Sequence, residues 1–279
     1  MPDPAAVPAV LTVVDDLCDE SDELDRLVAA LTPEQWTAPT PAPRWSIAHQ
    51  VAHLAWTDEV AVLAATAPDA FAAHVAEAAS APATFVDAAA DTGAGAPPGA
   101  LLGRWREARE RLQDVLRAAP PGTRVPWYGP PMSVAALATA RLMETWAHGQ
   151  DVADALGAVR APTARLRHVA WIGVRARDYA FAVRGLQPPR DAVRVELAAP
   201  DGVTTWAYGP EGAAQRVTGP ALDFCLLVTQ RAHRDDLDLH ATGPEADRWL
   251  GIAQAFAGPP GPGRAPAGPG RAPAGEAPR

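Results

Sequence analysis

Two stretches decide how this chain is read: SIAHQVAHLAW at residues 46–56 and RLMETWAHGQDVADALG at residues 141–157. Each is largely apolar, with Val51, Ala52, Leu54 and Ala55 in the first and Leu142, Met143 and Trp146 in the second. The spacing predicts helices over about 46–66 and 133–156, with Ser46 and Ser133 as N-caps and Gly157 as the stop. His49 and His53 are four residues apart, and so are Glu144 and His148. That interval puts each pair on one helix face, one turn apart. Polar groups set into an apolar face are costly unless paired or ligated. Glu144 and His148 can both point at one ion, and His53 from a facing helix completes a three-ligand set of the kind that helical bundles build in their cores. Two histidines and a carboxylate form a catalytic zinc set with one position left open, and also a non-haem iron set. The plainer alternative is an exposed Glu144–His148 pair beside an ordinary core histidine, His53.

Working outward, residues from about 6 to 31 repeat Val10, Val13, Val14, Leu17, Leu24, Leu27 and Leu31 at helical spacing. Pro33, Pro39, Pro41 and Pro43 predict a loop over 32–45. A weaker Ala-rich helix is expected over 69–90, then helices over about 99–118 and from Thr163 to about Arg184. The pattern then changes. Val193, Val195 and Leu197 alternate as in a strand, Asp201-Gly202 reads as a hairpin turn, and 203–208 and 215–217 read as further strands. An apolar helix follows over 220–231, then a strand over 237–241 and a helix over 244–256. From Gly258 onward the Pro/Gly-rich composition predicts a disordered tail.

Composition excludes several chemistries. The net charge is -9 over 279 residues, which gives no electrostatic footprint for nucleic acid or an anionic membrane. No apolar run reaches about 18 residues, the length of a membrane span. The first residues lack the basic start and apolar stretch of a signal peptide, so a cytoplasmic protein is expected. Cys18 and Cys225 have no CxxC partner and read as buried thiols. All 24 basic residues are Arg, and there is neither Lys nor Asn, which removes a P-loop or Schiff-base lysine and a Cys-His-Asn triad.

TPAPRWSIAHQVAHLAW at 40–56, followed by RLMETWAHGQDVADALG at 141–157, resembles the DinB-like metal-dependent superfamily. More narrowly it resembles the mycothiol-dependent maleylpyruvate isomerase family. RVTGPALDFCLLVTQR at 216–231 and DLDLHATG at 236–243 resemble the small α+β domain appended in that family. The resemblance implies an α+β chain. It has a DinB-like up-down four-helix bundle over 1–187, a small α+β domain over 188–257 and a tail over 258–279. It implies zinc, or another divalent metal, on His53, Glu144 and His148, and a catalytic arginine at Arg231. His49 stands where relatives often carry Asp, so it is expected as a group behind the ligands or as an added ligand. Asp151, three residues past His148, could take that ring's other N–H. The implied function is a metal-dependent, thiol-using isomerase or S-transferase, in which a mycothiol-type thiolate adds to an electrophilic small molecule. A metal-dependent hydrolase and a non-catalytic metal or small-ligand binding protein are the alternatives.

Overall fold

The structure, a computed structural model, describes residues 10–261 and 263–267. By internal contact the chain falls into two compact units, one ending at Ala158 and the other starting at Val159. The first holds α1 (Val10–Val28), α2 (Pro33–Trp36), α3 (Ile47–Thr66), α4 (Pro68–Ser80), α5 (Phe85–Ala94), α6 (Pro98–Ala118), β1 (Arg124–Val125), β2 (Met132–Ser133) and α7 (Val134–Leu156). Its long helices pack in the pairs α1–α7, α1–α6, α3–α6 and α3–α7. The apolar positions read from the sequence meet there. Leu24, Val28, Ile47, Val51, Leu54, Leu101, Trp105 and Val152 form one buried cluster. Each such side chain is worth about 1.5–3 kcal/mol on burial. α7 ends where Gly157 takes a φ of 65°, as expected.

Local chemistry explains where the sequence reading and the structure differ. The single weak helix expected over 69–90 is α4 and α5, because Pro82 forces Ala81 out of the helical region, to φ -142° and ψ 53°. α5 then comes close to α3 at Gly93, where a Cβ would lie 2.8 Å from that of Ala52. The loop expected over 32–45 contains α2, started by a Thr32/Gln35 capping box, and a β-bridge from Pro39 to Ser46. Residues 6–9 of the first expected helix lie outside the described residues.

The second unit holds α8 (Leu166–Arg175), α9 (Arg177–Ala182), β3 (Val193–Ala198), β4 (Thr205–Tyr208), β5 (Gln215–Pro220), α10 (Ala221–Val228), β6 (His240–Thr242) and α11 (Pro244–Leu250). The sheet runs β4-β3-β5-β6, with β3 and β5 parallel and the outer pairs antiparallel. Asp201 fixes the β3–β4 turn by accepting from the Val203 and Thr204 N–H groups and the Thr204 hydroxyl. The expected domain break at 187/188 is therefore displaced. The helix expected over 163–184 is α8 and α9, and both pack on the second unit, α8 against α10 and β4 and α9 against α11. A Cβ on Gly173 would stand 2.8 Å from Val228 and 3.1 Å from Phe224. The apolar face of α8 is thus committed to α10. The tail expected to be disordered from Gly258 is fixed as far as it is described: Gly258 bonds Tyr179 and Gln254, and the Ala267 N–H donates to the Asp236 carboxylate. Residues 268–279 lie outside the described residues. Among the described residues no helix is long and apolar enough to cross a membrane.

Candidate metal centre

α3 and α7 bring His53, Glu144 and His148 together. One ligand atom from each lies within 4.8 Å of the others. Glu144 Oε2 is 3.6 Å from His53 Nε2 and 3.2 Å from His148 Nε2. Donors held about 2.1 Å from a tetrahedral ion stand about 3.4 Å apart, so the set fits a zinc-sized cation. Both histidines are buried, while Glu144 keeps 23 % of its side chain exposed. Removal from water would push the Glu144 carboxyl up, but hydrogen bonds from His148 and His53, and the charge they carry, hold it well below the usual range. Glu144 is thus the ionised donor that a metal requires. His53 Nδ1 is buried with no hydrogen-bond partner, so protein groups alone do not satisfy this cluster.

A directional chain of hydrogen bonds sets the His148 ring. The Trp45 carbonyl can only accept, and the Thr40 hydroxyl donates to it at 2.8 Å. Thr40 Oγ1 then accepts from Gln50 Nε2 at 2.8 Å. That turns Gln50 Oε1 toward His148, so His148 Nδ1–H donates to it. With Nδ1 the donor to Gln50, Nε2 is the nitrogen that faces Glu144, where it carries the proton of the Glu144 hydrogen bond or, with that proton given up, offers its lone pair to a metal. The sequence offered Asp151 as one possible acceptor for that nitrogen, beside its reading as an ordinary helix acid. Gln50 meets His148 Nδ1, and Asp151 lies fully buried on the same helix as His148. The visible clue was a polar Gln inside HQVAH, one turn before His53.

His49 serves a different purpose. Its Nδ1 meets the Ser46 hydroxyl at 2.7 Å and accepts from the Ser46 N–H at 3.2 Å, forming a capping box at the start of α3. Its Nε2 is 3.2 Å from Asp91 of α5. Both ring nitrogens are engaged, and His49 stands outside the three-donor cluster.

Aromatic rings flank the cluster. Trp45 stacks on His148 at 5.8 Å between centroids and lies 5.2 Å from His53, while its Nε1 donates to Asp87 at 3.0 Å. It is delivered by a tight turn in which Arg44 takes a φ of 69°. A non-glycine residue there is uncommon and costs of order 1 kcal/mol or more, which the site absorbs to place the ring. Trp56 also lies against His53, at 5.9 Å between centroids. Trp127 and Tyr128 pack on Phe71, and the Tyr128 hydroxyl meets His74 Nε2 at 2.7 Å.

Residues 17–153, which contain all three donors, match the family described as the mycothiol maleylpyruvate isomerase N-terminal domain. This part of the chain belongs to that family. Residues 189–242 match a second family, described as wyosine base formation. Two uncharacterized proteins from strains of Mycobacterium tuberculosis are each 58 % identical over 251 residues, covering 90 % of this chain and 97 % of their own length. The crystal structure of the mycothiol-dependent maleylpyruvate isomerase matches with a TM-score of 0.58 at 15 % identity, covering 85 % of this chain and 95 % of that one. A histidine-to-alanine mutant of it matches with a TM-score of 0.57, also at 15 % identity and the same coverage. These two matches show a shared fold.

The arginine that the family resemblance placed at Arg231 belongs to the second unit, whereas the three donors belong to the first. It stands three residues beyond α10. Gln230, with a φ of 59°, closes that helix end, and the Arg231 N–H bonds the Leu226 carbonyl. This is a Schellman turn. The Arg231 guanidinium donates to the Thr229 carbonyl at 2.6 Å, so it serves the C-terminal end of α10.

Proposed function

We propose that this chain holds one zinc ion, or another divalent metal, through His53, Glu144 and His148 at an up-down four-helix bundle. We further propose that it works with a mycothiol-type thiol on an electrophilic small molecule, as an isomerase or S-transferase. The observation that carries the reading is the convergence of the three donors with the His148 tautomer already set. A divalent ion with one position open lowers the pKa of a thiol placed there and so supplies a nucleophile at neutral pH. The protein's own groups do the rest. Glu144 stays ionised, Gln50 orients His148, and Trp45 and Trp56 keep water from the two rings. Family membership supports the thiol and the small-molecule substrate. Arg231 is carried as the substrate-carboxylate group on the family resemblance, since a guanidinium binds a carboxylate in a two-pronged fork.

Elemental analysis of the purified protein tests the metal, with His53→Ala and Glu144→Ala alongside. About one metal per chain, lost in both variants, supports the site. Conversion of a cis-configured electrophile with and without mycothiol then tests the chemistry. Turnover that requires the thiol supports the isomerase or transferase reading. Turnover without it points to a hydrolase, and bound metal with no turnover points to a binding protein.

A further inference from the structure

The contact between α3 and α7 carries three polar rungs. Gln50 meets His148, His53 meets Glu144, and Asp58 meets Arg141. Numbers rise on α3 as they fall on α7, so the two helices run antiparallel with the rungs along one seam. The first two rungs belong to the metal centre. The third is five residues past His53 and three before Glu144, and neither of its residues is among the three clustered donors.

Asp58 and Arg141 are 3 % and 2 % exposed. Arg141 Nε donates to Asp58 Oδ1 at 3.0 Å, and Arg141 Nη2 is buried without a partner. The Trp105 side chain of α6 also hydrogen-bonds Asp58. Such a pair adds little net stability, because taking both charges out of water offsets their attraction, and apolar residues of similar volume often serve as well. Its effect is on register. A slip of one residue between the helices would move donors about 1.5 Å along the axis. Metal–ligand distances hold to within about 0.2 Å. The same slip would leave a carboxylate and a guanidinium buried and apart.

We infer that Asp58 and Arg141 are positioning residues that lock the register of α3 against α7, and so set the spacing of His53 against Glu144 and His148. This rests on the metal reading of the site. The test is a cobalt(II) titration, read by competition for affinity and by the visible absorption band for geometry. Asp58→Asn leaves the Arg141 charge buried and could unfold the chain, so the deciding variant is the doubly apolar Asp58→Leu/Arg141→Met. The lock predicts that this variant unfolds cooperatively with stability equal to or above the wild type. It also predicts that cobalt binds at least about 10-fold more weakly, with an altered band. A folded double variant with wild-type affinity and band overturns the lock and leaves the metal reading intact. A double variant that does not fold makes the pair structural and overturns the positioning role. Wild-type protein that takes up no cobalt overturns the metal reading, and the lock falls with it.

Discussion

The α1–α6 and α3–α7 seams use the same residue types to opposite effect. Along α1–α6, Asp25 takes both prongs of Arg106, at 2.8 and 2.6 Å, and a bond from Arg109 at 3.0 Å. Asp22 adds to Arg109 and Asp15 pairs with Arg117, each at 3.0 Å. Along α3–α7, Asp58 receives a single bond from Arg141. The Arg106 hydrogen bond holds the Asp25 carboxyl below its usual range, whereas burial pushes the Asp58 carboxyl up. Water makes the difference. On the outer seam Arg106 keeps 43 % and Arg117 39 % of the side chain exposed, while Asp25 and Arg109 keep only 13 % and 12 %, so the outer pairs surrender part of their hydration and solvent screens part of what they gain. The inner pair gives up that hydration, so its cost is large and its geometry exacting. An acid–arginine pair on a helix seam therefore says little until its exposure is known.

Four measurements can break or sharpen this contrast. The largest effect is expected at the donors: His53→Ala and Glu144→Ala each lose the bound metal outright in elemental analysis, while Asp25→Asn keeps it. Urea unfolding comes next. Asp58→Asn strands a buried cation and costs about 3–5 kcal/mol, against a smaller loss for Asp25→Asn, whose partner Arg106 stays 43 % exposed. Equal losses at the two seams would remove the distinction. Third, Gln50→Leu removes the acceptor that sets the His148 tautomer. Metal affinity then falls about 10- to 100-fold by competition titration, with the fold kept by circular dichroism. Unchanged affinity would deny Gln50 its orienting role.

The smallest effect is on pH dependence. The Asp25 carboxyl is depressed in the fold. Its stabilisation is therefore complete above the unfolded carboxyl pKa of about 3.9 and fades as pH falls through the folded value. The Asp58 carboxyl is raised. Between the two values the fold binds its proton more readily than the unfolded chain, so its contribution grows as pH falls. Unfolding free energies from pH 7 to pH 3 should show a flatter acid arm in Asp25→Asn. The arm should be steeper in Asp58→Leu/Arg141→Met. The same slope in both variants would contradict the opposite shifts.

Much of this was legible one residue at a time. The i, i+4 pairs placed His53, Glu144 and His148, and capping chemistry placed the ends of α3 and α7 almost to the residue. Asp201-Gly202 marked its turn. Reading failed where the decision depended on a partner distant in sequence. The break expected at 187/188 falls where Gly185, Pro188 and Pro189 interrupt the pattern, yet α8 and α9 side with the second unit because of what their apolar faces touch. Asp151 sits at the spacing that would suit an acceptor for His148, yet Gln50, 98 residues away in sequence, meets that nitrogen. His49 shares a helix face with His53, yet the Ser46 cap and Asp91 take both its nitrogens.

The sequence by itself determined the helices, their polar insertions and the chemical type of the donor set. These depend on backbone periodicity and side-chain composition within a few turns. Only the tertiary structure decided which nitrogen of His148 carries its proton, which Asp–Arg pair is dry, and where one unit ends. Those properties depend on which groups from separate helices exclude water from one another, and no spacing along a single chain encodes that.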